Sequence, residues 1–243
     1  LVIAFAQDEK IKGNGVANEG LASTRLGLKG IPTLAEELHI ARNLFLLEYT
    51  GGKLHIPTIS TQKSVALIKE AKAKGLQVSC SVSVHHLVLN EDQLDGFDTR
   101  YKVTPPLRSE SDRKALLEGI LDGTIDMITT DHNPIDIEHK KMEFDGAKNG
   151  TLGLESAFGA LSCVLPTAVI IEKLTAGKTT FGIPSHSINE GEPANLTLFT
   201  TDGESIFTKE TILSKSKNSA FLGQKLQGKV YGCINQNQMI LNQ

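Results

Sequence analysis

Two periods of apolar residues alternate along the chain as far as about residue 160. "LVIAFAQ" (1–7), "KLHIPTIS" (53–60), "LQVSCSVSV" (76–84) and "IDMITTD" (125–131) are brief runs rich in Val, Ile and Thr, and each predicts a strand. Between them, residues 33–52, 62–75 and 109–123 carry apolar positions at helical spacing and close on glycine, the residue that tolerates the left-handed turn at a helix end. In the third of these, Ser109 stands three residues before Asp112 and predicts an N-cap, with Leu116, Leu117, Ile120 and Leu121 as the buried stripe.

Strand, helix, strand in that order implies right-handed crossovers and a parallel sheet, so ligand chemistry belongs at the carboxyl ends of the strands. Those ends are Phe5 to Asp8, Thr58 to Thr61, Val84 to His86 and Asp131 to Pro134. Beyond "GLESAFGALSCVL" the texture changes, and "IPSHSINEGEPANLTLFTTDGESI" and "GKVYGCINQNQMIL" predict short antiparallel strands with glycine turns. The expected division is therefore parallel-sheet strands and helices over 1–175, and the end of that unit plus a small β-domain over 176–243. The chain opens on Leu1 directly in a strand-like run, and the expectation is that further structure lies upstream.

Composition narrows the function classes. A formal net charge of −3 and no recurring Lys/Arg face argue against a nucleic-acid surface. No apolar run approaches the ~20 residues of a membrane span. Cys80, Cys163 and Cys233 are odd in number and far apart, which fits a reducing, cytoplasmic setting better than a disulfide framework. No GxGxxG, Walker or GxSxG arrangement is present, against dinucleotide, nucleotide and serine-hydrolase readings.

The candidate chemistry gathers at the predicted strand tips. Asp131, in "MITTDHNP", is placed to act as metal ligand, general base or loop-ordering acceptor. Strand alternation turns His132 to the other side, where it packs or hydrogen-bonds locally. His85 and His86 are adjacent at the end of a strand and are expected to point in opposite directions. His55, three before Thr58, is expected to point outward toward the helices. His39 reads as a surface residue, and His139 and His186 as loop residues without spaced partners. Arg108, at the start of a helix, is able to hold a carboxylate or phosphate or to bond loop carbonyls.

The series "EGLASTRLGLKGIPTLAEELHIARNLFLLEYTGGKLH", "ISTQKS", "VHHLVLNEDQL", "KVTPPLRSESDRKALLEGILDGTIDMITTDHNP" and "GTLGLESAFGAL" resembles the dihydroorotase family in its long-chain bacterial and multifunctional form, and the tail "GIPSHSINEGEPANLTLF" fits as well. The resemblance implies the C-terminal half of a (β/α)8 TIM-type barrel of the amidohydrolase kind plus a small β-sandwich element, with the family's HxH metal motif upstream. It also implies zinc as cofactor and the hydrolysis, or reverse cyclisation, of the cyclic amide of dihydroorotate in pyrimidine biosynthesis. Two positions depart from the family pattern. Phe5 and Thr58 stand where the family has metal-binding histidines, while Asp131 matches the family's metal-contacting Asp. Thr104, Arg108, His132 and Ile135 fall in the family's substrate-binding region, Thr104 in place of an Asn and Ile135 in place of a His. A catalytic zinc needs about three donor side chains, so the expectation is a degenerate, non-catalytic centre. By resemblance to silent relatives, the role is that of a structural partner of aspartate carbamoyltransferase. The rival expectation is a working zinc dihydroorotase. A homo-oligomer is a further expectation, because an open barrel edge calls for a partner.

Overall fold

The computed structural model describes residues 1–184, 188–236 and 238–242. Four strands, β1 (Val2–Ile3), β4 (Leu54–Ile56), β5 (Val78–Ser83) and β6 (Met127–Thr129), form one parallel sheet in the order β1-β4-β5-β6. A short parallel pair, β2 (Ala17–Asn18) with β3 (Gly30–Ile31), sits in the first crossover. All four predicted strands are present but shorter than their apolar runs, because the tips bend away from the ladder. The helices Leu34–Thr50, Gln62–Ala73 and Glu110–Leu121 fill the crossovers.

Local chemistry explains the helix boundaries. Thr61 Oγ1 accepts the Ser64 N–H at 3.1 Å, and Ser109 Oγ accepts the Asp112 N–H at 3.3 Å, so both helices begin on side-chain caps. The Leu34–Thr50 helix stops at Gly51, whose φ of +70° suits glycine alone at little cost. In the third helix Leu116 and Ile120 are buried as expected, but Leu121 is exposed, and Gly119 takes its place against Ile125 and Val65.

One apolar core joins Ile56, Cys80, Val82 and Ile128 of the sheet to Ile40, Leu44, Ile68, Leu116 and Ile120 of the helices. The tail forms a three-stranded antiparallel sheet, β7 (Asn195–Ile206), β8 (Lys225–Asn235) and β9 (Gln238–Leu241). Phe207, Ile212, Phe221 and Leu226 from this region enter the same core as the barrel-type elements. His186 lies outside the described residues. Among the described residues no helix is long and apolar enough to cross a membrane.

Two loops that follow β5 and β6 are tied together by lysines. Lys140 Nζ donates to the carbonyls of Thr99 (2.9 Å) and Lys102 (3.2 Å), and Lys102 Nζ to those of Phe144 (2.7 Å) and Asp145 (2.9 Å). Burial holds the Lys140 ammonium down at about 8, with Lys102 as the nearest like charge.

Candidate functional site

The sheet order sets the tips of β4, β5 and β6 side by side, presenting Thr58, then the two histidines, then Asp131. Thr58 and Asp131 both have left-handed backbones, with φ of +50° and +45°. For a β-branched residue this is an outlier, since Cβ crowds the following carbonyl. The surrounding structure holds it there: the Thr58 N–H donates to Ser81 Oγ at 3.3 Å and the Ile59 N–H to the Ser81 carbonyl at 2.9 Å. Replacing Thr58 by glycine therefore raises stability by about 1 kcal/mol in urea unfolding. A variant no more stable than the parent argues against strain at this tip.

The same bend corrects the expected direction of His55. Straight alternation from Thr58 turns it toward the helices, but the left-handed residue breaks the count. His55 pairs in register with Ser79, and its Nδ1 lies 2.9 Å from Ser79 Oγ. It is thus on the face opposite Ile56 and Cys80, capped edge-on by Phe181 at 5.2 Å. Burial lowers its pKa.

His85 and His86 do not diverge as strand neighbours. They sit on a helical turn, Val84–Val88, with ring centroids 4.6 Å apart. His86 is fully occupied: Nδ1 is 2.6 Å from Ser83 Oγ, and Nε2 is 3.1 and 3.2 Å from the carbonyls of Pro105 and Pro106. Burial drives its pKa down to about 4. His85 is 1% exposed, neither ring nitrogen has a hydrogen-bond partner, and Nε2 lies 3.8 Å from Asp131 Oδ2. Desolvation lowers the His85 pKa far below its usual range and raises that of Asp131.

The remaining candidates spread out around this tip. His132 acts locally, as expected: Nδ1 accepts the N–H groups of Gly153 (3.3 Å) and Leu154 (3.2 Å), and lies 4.0 Å from Glu155 Oε2. Gly153 is required there, because a Cβ would come within 2.1 Å of the Thr130 carbonyl oxygen. Ile135 is half-buried, and its carbonyl accepts from Ser216 Oγ at 2.8 Å. Thr104 Oγ1 is 3.5 Å from Gln7 Oε1, and Phe5 is largely exposed at the end of β1. His39 is a surface residue beside Arg42 and Asn43, and His139 lies on a short loop turn.

Arg108 is drawn away from the mouth into a buried network. Nε donates to Ser60 Oγ (3.0 Å), Nη1 to Asn18 Oδ1 (2.9 Å) and to the Ile31 carbonyl (3.1 Å), and Nη2 lies 3.7 Å from Glu36 Oε2. Glu36 also accepts the Ser60 N–H (2.8 Å) and both the Ser60 and Ser64 hydroxyls, and Asn18 donates to Glu91 Oε2 at 2.7 Å. Burial lowers the Arg108 pKa, with Glu36 the main opposing charge. The structure brings Arg108, expected in the substrate-binding region, into this buried network, where the chain's own groups fill its fork. Sequence spacing carried no sign of Asn18 and Glu36 as its partners, or of Glu91 behind Asn18.

The donors that this chain itself brings to the strand tips are fewer than the about three a catalytic zinc takes. Phe5 has no lone pair to give, the Thr58 hydroxyl is neutral, and Asp131 and His85 supply one donor group each. Among the described residues no three His, Cys, Asp or Glu side chains form a group able to hold a metal ion.

A parallel sheet with its polar residues at the carboxyl tips, followed by an antiparallel sheet, is the fold of the amidohydrolase class. L-Hydantoinase (dihydropyrimidinase) from Arthrobacter aurescens superposes with a TM-score of 0.85 at 23% identity, over 99% of this chain and 56% of that one. The chain belongs to the dihydroorotase family. A family profile described as "Dihydro-orotase-like" matches residues 1–64. The dihydroorotase of Geotalea daltonii is 40% identical over 235 residues, 94% of this chain and 55% of the relative. The chain thus spans about half the length of the curated relatives it matches. The inactive dihydroorotase-like domain of a Chaetomium thermophilum CAD-like multifunctional protein shares the fold with a TM-score of 0.63 at 21% identity, over 84% of this chain and 58% of that one.

Proposed function

We propose that this chain is part of a cytoplasmic dihydroorotase-like protein whose metal centre has degenerated, and that the protein is catalytically silent and serves as a structural partner of aspartate carbamoyltransferase. The observation that carries the reading is the donor set: the two positions where the family resemblance implies imidazoles hold Phe5 and Thr58. Without a metal, water near Asp131 keeps a pKa of about 15.7 rather than about 7, so one carboxylate has no activated nucleophile to deprotonate.

Metal analysis and turnover on the full-length protein test this directly. The expected result is zinc far below one equivalent, no conversion of dihydroorotate or carbamoyl-aspartate, no change in either on Asp131→Ala, and co-purification with the transferase. Stoichiometric zinc with turnover that Asp131→Ala abolishes would overturn the silent reading, and a protein that ignores the transferase would overturn the partnership. The second reading, an active zinc dihydroorotase, draws on the retention of Asp131 at the mouth with its pKa raised by burial. The same measurements decide between the two.

A further inference from the structure

We propose that the gap between His85 and Asp131 at the strand tips holds a cationic N–H donor, an ammonium or guanidinium group, where the family resemblance implies a metal. The inference rests on the silent reading above, because a bound zinc would claim Asp131 for itself. Asp131 brings a negative charge to a tip where its side chain is 37% exposed, and among the described residues no Lys or Arg lies within ion-pair distance of it. A carboxylate largely withdrawn from water gains most from a partner that supplies both the opposite charge and a hydrogen. The cations on the neighbouring loops do not fill that role. Lys102, Lys140 and Arg108 donate their N–H groups to the chain's own carbonyls and polar side chains.

His85 supplies the second half of the site. Its ring is 1% exposed, it follows the strand next to that of Asp131, and neither nitrogen has a partner. Nε2 faces Asp131 Oδ2 across 3.8 Å, too far for a direct hydrogen bond. With the ring proton on Nδ1, Nε2 is an acceptor, so two acceptors look into one gap. A nitrogen about 2.8 Å from each fits that separation, provided that it carries two hydrogens, as ammonium and guanidinium nitrogens do. A tetrahedral zinc about 2.1 Å from both would draw them to about 3.4 Å. A carboxylate placed there would meet Asp131 as a like charge. The same cationic chemistry is available from a free amine or from a lysine or arginine elsewhere in the full-length protein.

Thermal unfolding of the full-length protein at constant ionic strength tests the proposal, with methylammonium, methylguanidinium and tetramethylammonium chlorides as probes. The expected result is a midpoint raised by the first two and not by the third, which has the charge but no N–H. Asp131→Asn then weakens binding by ~30-fold or more, and His85→Gln gives a smaller loss should Asp131→Asn fail to fold. Where the protein's own side chain is the source, neither probe acts. One lysine or arginine of the full-length protein then resists acylation or phenylglyoxal in the parent and reacts in Asp131→Asn. Absence of both results overturns the proposal, as does binding that Asp131→Asn leaves intact or that tetramethylammonium matches. Stoichiometric zinc overturns the silent reading beneath it, whereas a zinc-free protein that shows neither result overturns this inference alone.

Discussion

Arg108→Ala is expected to cost about 3–5 kcal/mol of stability, the largest loss of any single change considered. The guanidinium is 3% exposed and serves four partners at once. Its removal leaves the Glu36 carboxylate buried without a countercharge and leaves Asn18 Oδ1 and the Ile31 carbonyl short of a donor. Arg108→Lys keeps the charge but loses the fork, so it falls between parent and alanine. Urea unfolding of the three proteins measures the order. An alanine variant within about 1 kcal/mol of the parent would show that the network is dispensable.

Acidification is expected to produce the next largest effect. His86 is held neutral in the folded protein with a pKa of about 4, against 6.5 for a free imidazole. Between those values the unfolded chain takes up a proton that the folded chain refuses. Stability from this group is complete above pH 6.5 and is lost as pH falls toward 4, by about 3 kcal/mol at roughly 1.4 kcal/mol per pKa unit. His85, shifted the same way, steepens the fall. Thermal midpoints recorded from pH 7 to pH 4 are expected to drop steadily across this window, with a shallower slope in His86→Gln. A flat profile would mean that the two rings are not held neutral.

The fold was legible because both periods are strong: strands and helices fall where alternating and helical patterns put them, and Ser109 caps its helix as its spacing with Asp112 implies. Directions at the strand tips were not legible. A period-2 count assumes extended backbone, and the left-handed Thr58 reverses every inference drawn across it, which is why His55 faces Ser79. The helical turn at Val84–Val88 likewise brings together two histidines that a strand would separate. Arg108 illustrates a different limit. Its partners at positions 18, 31, 36 and 60 come from separate segments, and nothing local in "VTPPLR" distinguishes a ligand-binding arginine from a buried strut. The unpaired state of His85 beside Asp131 was equally invisible, since it depends on what packs around the ring.

The lysine ties also bear on what an anion would feel near Asp131. Lys102, Lys140 and Arg108 all lie on loops that leave the carboxyl ends of β5 and β6, where cations ordinarily draw in acidic metabolites. Here their N–H groups point into the chain's own carbonyls and polar side chains. Their charge still reaches the opening, but a carboxylate arriving from solution is held directly by these side chains only if it displaces the bonds they already make.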